Sequence, residues 1–79
     1  MPNATIIVRA SWDSDSEVWV ATSDDVPGLV AEAESPQELE RKLKSLIPIL
    51  LEENDGYQDV PEVPLVVLHE QTTRVRLRA

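Results

Sequence analysis

The chain has 79 residues, 15 acidic against 7 basic side chains, a net charge of −8, no cysteine and one histidine. At this length folding buries only about 60% of the unfolded surface, so the sequence specifies one domain of modest stability. The lack of cysteine excludes disulfides and thiolate metal sites, and His69 alone is too few for a histidine-built one, which leaves self-association as the expected source of further buried area.

The N-terminal residues 1–4 carry no basic cluster ahead of an apolar run and no cleavage pattern, so no signal peptide is expected. The longest apolar stretches, such as Ile47 to Leu51, are a fraction of the roughly 20 residues a membrane span requires. A soluble protein of the reducing cytoplasm, without membrane contact, is the expectation. Charge is unevenly spread: residues 1–34 carry −6, residues 35–60 carry −3 and residues 61–79 carry +1. An acidic body repels nucleic acid, attracts basic partners and keeps a small protein soluble.

Ala4 to Trp12 is the first predicted strand. Ile6, Val8, Ala10 and Trp12 fall on one face, with Thr5, Ile7, Arg9 and Ser11 on the other. Asp13-Ser14-Asp15-Ser16 turns the chain into a second strand, Val18 to Ser23. Val18 and Val20 point one way from it, Trp19 and Ala21 the other, which predicts a sheet covered on both sides. Val26-Pro27-Gly28-Leu29 suits a type II turn, with glycine at the position of positive φ. Leu29 to Glu34 is a short third strand, Val30 and Glu32 facing away from Ala31 and Ala33.

The helix start is the best-specified point. Ser35 fits the N-cap, Pro36 the first helical position and Glu38 the third, which together make a capping box. Leu39, Leu43, Leu46, Ile47 and Leu50 then lie within about a 100° arc. Pro48 lies opposite, on the solvent face. The carbonyl it orphans, that of Lys44, also faces water, so the spacing predicts a kink rather than a stop. Asn54-Asp55-Gly56 is the predicted end, with Asn54 or Gly56 as a left-handed cap.

Beyond Pro61 and Pro64, Leu65 to His69 is a fourth strand. Thr72 to Arg78 alternates Thr73, Val75 and Leu77 against Arg74, Arg76 and Arg78; it is either a continuation past a bulge near Glu70 or a separate edge strand. The expected architecture is α+β: a single domain over 1–79, β-β-β-α-β, an antiparallel sheet with one long helix packed on one face.

Catalytic groupings are weak. Asp13, Asp15 and Glu17 faintly echo a calcium loop, but Val18 stands where such a loop demands glycine, and a solvated hairpin tip explains them. Asp24, Asp25, Glu32 and Glu34 lack an accompanying base, nucleophile or oxyanion donors, so turn and cap chemistry accounts for them. His69 sits in an apolar strand with no nucleophile motif and reads as a hydrogen-bonded strand residue. The arginine stripe Arg74, Arg76 and Arg78 reads as edge protection or as pairing with a neighbour's acidic patch. A chain of net charge −8 lacks the broad positive field that nucleic-acid binding needs. No cofactor, metal or catalytic residue is assigned.

The segments Ser11-Trp12-Asp13, Val18-Trp19-Val20-Ala21 and Ser23-Asp24-Asp25-Val26-Pro27-Gly28-Leu29, followed by the helix from Glu38-Leu39 to Leu50-Leu51-Glu52-Glu53-Asn54, resemble the small stand-alone proteins of the HicB-like superfamily over roughly residues 5–54. That resemblance implies a truncated ribonuclease-H-like core without its catalytic acids, and homo-oligomers built from it. HicB antitoxins use such a domain to bind and block a small basic RNA-cleaving toxin, and most of them add an operator-binding segment. No such segment follows here, so direct DNA binding is not expected.

The leading expectation is a non-enzymatic, antitoxin-like interaction module that forms a homo-oligomer and holds a small basic toxin-like protein. The alternatives are an orphan structural oligomer and a divalent-metal nuclease remnant using Asp24, Asp25 or Glu32. Candidate interface residues are Trp12, Val18, Trp19, Val20, Asp24, Asp25, Leu29, Arg74 and Arg76.

Overall fold

The computed structural model describes residues 5–52, 57 and 60–78. In chain order its elements are β1 (Ile6–Asp13), β2 (Val18–Thr22), β3 (Val30–Ala33), α1 (Pro36–Leu50) and β4 (Leu65–Glu70). The sheet order is β3-β2-β1-β4. β2 runs antiparallel to both β1 and β3, whereas β4 runs parallel to β1. The sheet is therefore mixed, which corrects the antiparallel expectation. The reason lies in the connection: α1 and the segment after it carry the chain back to the β1 edge, where it runs in the same direction as β3 and β1. A helix between two strands is what a parallel neighbour requires.

The core forms on one face of the sheet. Ile6, Val8 and Ala10 of β1, with Ala21, Ala31 and Ala33, meet Leu39, Leu43 and Ile47 of α1. Val26, Leu29 and Leu51 close its ends, while Leu46 and Leu50 pack half-buried at its margin. Among the described residues no polar or charged side chain is buried. The face alternation read from β1 and β3 is the one observed.

Local chemistry fixes the turns. The Glu17 N–H donates to the Asp13 carbonyl at 2.7 Å, and the Asp13 carboxylate accepts from the N–H groups of Asp15 and Ser16 at 3.0 and 3.3 Å. Glu17 takes φ of 58°, a left-handed conformation that costs a non-glycine residue about 1–2 kcal/mol. Glu17→Gly relieves that strain against a smaller entropic cost, so it is expected to stabilise the domain by about 0.5–1 kcal/mol. A rise in the urea midpoint at unchanged slope checks it. At the next turn Gly28 has φ of 84° and the Leu29 N–H donates to the Val26 carbonyl at 3.1 Å, as the type II reading requires.

Ser35 caps α1: its Oγ accepts from the Glu38 N–H at 3.1 Å. The Glu38 carboxylate reaches one residue further back than a standard capping box, accepting from the Glu34 N–H at 3.3 Å. Ser35→Ala is expected to cost about 1 kcal/mol, read as a melting temperature lower by roughly 4–8 °C.

The helix passes through the exposed Pro48, as expected, but ends soon after it, at Leu50. The Leu51 N–H donates to the Ile47 carbonyl at 2.9 Å, and the Glu52 N–H to the Ile49 carbonyl at 3.3 Å, a tightened final turn. The expected end at Asn54-Asp55-Gly56 lies outside the described residues.

Among the described residues, Thr72 to Arg78 forms neither a continuation of β4 nor a separate edge strand. β1 is the strand beside β4, and their pairing ends at Ser11 opposite Glu70, so residues 71–78 run on exposed and outside the ladder. The described chain spans 58 × 23 × 19 Å with a radius of gyration of 15.2 Å. A compact domain of this length has a radius of about 12 Å, so the chain is drawn out along one axis.

Candidate interaction surface

α1 covers one face of the sheet. On the other, the register groups Ile7, Val66 and Leu68 of β1 and β4 on one side and Val18, Val20 and Val30 of β2 and β3 on the other, with Arg9, Ser11 and Thr22 between them. Ile7, Val30, Val66 and Leu68 are exposed, Val30 at 65%, and Val18 and Val20 are half-buried. A sheet face bare to water carries mostly polar residues, and two apolar clusters on one exposed face mark a candidate interaction surface. Two-sided apolarity was legible in Val18–Ser23; the covering layer on the second side is absent among the described residues.

Polar groups separate and border these clusters. Arg9 and Glu70 approach to 3.9 Å across β1 and β4, an exposed pair that adds little stability. Beside Arg9 lies a depression of about 230 Å³ lined by Ile7, Arg9, Thr22, Ser23, Asp24 and Asp25. Part of its wall is structural. The Ser23 hydroxyl donates to the Ile7 carbonyl at 2.6 Å, the Asp25 carboxylate accepts from the Ile7 N–H at 2.9 Å, and the Asp25 N–H donates to Ser23 Oγ at 3.0 Å. β2 ends at Thr22, so these two side chains satisfy the β1 backbone where the ladder stops. Asp25 thus has a backbone to hold, while Asp24 is exposed at the same depression.

The sequence-derived candidates scatter. Val18 and Val20 lie on the open face and Asp24 and Asp25 at its rim. Leu29 is only 3% exposed and belongs to the core, which removes it from any surface. Trp12 and Trp19 are a cross-strand pair on the α1 side of the sheet, rings edge to face at 5.4 Å. Trp19 also crosses the small Ala10 to meet the ring of His69 at 4.8 Å. His69 is therefore an aromatic neighbour in a three-ring cluster. Arg74 and Arg76 lie on the projecting arm. Ile7, Val66 and Leu68 were missed; the continuous apolar run Leu65 to Leu68, unalternating like a strand with two apolar faces, was their signal.

No group of three His, Asp or Glu side chains able to hold a metal occurs among the described residues. Asp24, Asp25 and Glu32 do not converge: Asp25 is engaged with β1, and Glu32 lies on β3, its carbonyl accepting from Lys42 Nζ at 2.7 Å. No described helix is long and apolar enough to cross a membrane.

The structure defines a small β-β-β-α-β domain whose open sheet face carries two apolar clusters. Residues 5–79 match the family described as a domain of unknown function, DUF1902, and the chain belongs to that family. It is similar to a hypothetical protein from the extremely thermophilic bacterium Thermus thermophilus, known from a crystal structure, with 43% identity, coverage of 94% of this chain and 100% of that one, and a TM-score of 0.67. No curated protein matches it.

Proposed function

We propose that the chain is a non-catalytic protein-interaction module of the cytoplasm, an antitoxin-like domain that works as a homo-oligomer and holds a small basic protein. The observation that carries this reading is the exposed Ile7, Val66 and Leu68 cluster of the open face with an acidic depression at its rim. Ile7 offers an apolar wall and Asp24 an exposed carboxylate beside it, a fit for the long stem and charged head of a lysine or arginine. The net charge of −8 steers such a partner toward the domain. The HicB-like resemblance of residues 5–54 supplies the same kind of partner, a small basic toxin.

Affinity purification of the tagged chain from its native cells tests this. A small basic protein is expected in near-stoichiometric amount, and Asp24→Lys, which leaves the Ser23–Asp25 clamp intact, is expected to abolish its recovery. Recovery of no basic protein, or equal recovery by the variant, overturns the reading.

A further inference from the structure

We infer that residues 71–78 are an exchanged arm: in a pair of chains each arm adds to the β4 edge of the other copy, antiparallel about a two-fold axis at Gln71, and joins the two sheets into one. This rests on the self-association proposed above and names the surface that provides it.

The sheet has two edges, and they differ. β3 is four residues long, and Lys42 Nζ donates to the Glu32 carbonyl at 2.7 Å, taking an acceptor that a further strand would need. That edge is blunted. β4 is the other edge, six residues reading Leu-Val-Val-Leu-His-Glu, with no lysine, proline or bulge to deter pairing. A bare apolar edge of this kind is a template for another strand, and folded proteins cover it.

The arm has the pattern to do so. Val75 is 76% exposed and Leu77 91%, a degree of exposure their own chain does nothing to relieve. On β4 the odd-numbered Leu65 and Val67 face the core side and are half-buried, packed against the core at its open margin. The same parity carries Thr73, Val75 and Leu77 to that side and the arginines to the side of Glu70. Residues 65–70 and 72–77 flank Gln71 in equal lengths, so pairing about Gln71 engages all of β4. It sets Val75 opposite the partner's Val67 and Leu77 opposite the partner's Leu65, extending the apolar layer past the sheet edge. Arg74 then stands diagonal to the partner's Glu70, within reach for a long side chain.

Charge favours exchange over solvation. The arm's three arginines are unaccompanied by acids, and without them a net charge of −8 becomes −11 on residues 1–70. Each arm therefore brings cations to a strongly acidic partner body, which fits a second copy of this chain better than a basic or neutral partner.

Light scattering on the full chain and on Val75→Asp with Leu77→Asp tests the arm, because both side chains are exposed in the single chain and the substitutions leave its core untouched. A twofold lower mass for the variant is expected. The cysteine-free background permits a second test: Gln71→Cys, at the axis, is expected to be joined into a covalent dimer by a short bismaleimide, whereas Glu17→Cys at the hairpin tip is not. An oligomeric chain whose mass survives the arm substitutions, or which fails to cross-link at position 71, overturns the arm while self-association stands. A strictly monomeric full chain at high concentration overturns both.

Discussion

Leu43→Ala is expected to destabilise the domain by about 2–5 kcal/mol, the range for truncating a fully buried leucine. Leu43 has no solvent exposure and sits one helical turn from both Leu39 and Ile47, which are themselves buried. Those neighbours hold the helix in place, so the void left by the missing carbons cannot collapse. A domain of this size has roughly 4–12 kcal/mol to lose. The variant is thus expected to unfold at a much lower urea concentration by circular dichroism, or to be unfolded at 37 °C. Ile49→Ala, at an exposed position of the same helix, is the matched control and is expected to stay within about 0.5 kcal/mol of the parent.

Ala21→Leu tests the opposite fault. Ala10, Ala21 and Ala31 stand in register across β1, β2 and β3, a row of methyl groups crossing the sheet beneath α1. The row leaves space for the leucines of the helix and for Trp19 to reach His69 across Ala10. A leucine in its centre has nowhere to go without lifting the helix, and the expected cost is about 1–3 kcal/mol. Thermal unfolding measures it. Thr22→Val, one residue along the strand on the open face, is expected to change stability little, because no helix lies over it.

Much of this was legible in the residues themselves. Ser35, Pro36 and Glu38 announce the helix start because a cap is local chemistry, readable from four consecutive positions. Gly28 after Pro27 announces its turn for the same reason. Face assignment also held, since side chains alternate wherever a strand is straight. Strand direction did not hold. Alternation is identical in parallel and antiparallel partners, and only the intervening helix marks β4 as parallel to β1. α1 runs to Leu50, where its apolar arc also ends, two residues past Pro48.

The surface was less legible than the fold. Val18 and Val20 were found from a two-faced strand, but tryptophans drew attention by size, and Trp12 and Trp19 turn to the helix side. Asp25 shows why a carboxylate pair is ambiguous in sequence: its acceptor serves the Ile7 N–H, eighteen positions away. No spacing rule encodes a turn side chain completing a distant ladder.

The parallel ladder between β1 and β4 joins Ile6 to Leu65, 59 positions apart. The three-stranded meander and the helix are made of near neighbours in sequence and can assemble early, but the fourth strand docks only after the longest loop has closed. Contacts of such separation slow folding. During synthesis, β1 therefore emerges first and waits longest for its second neighbour, with one backbone edge bare. In that interval the nascent domain is most open to mispairing, and a chaperone has the most to offer it.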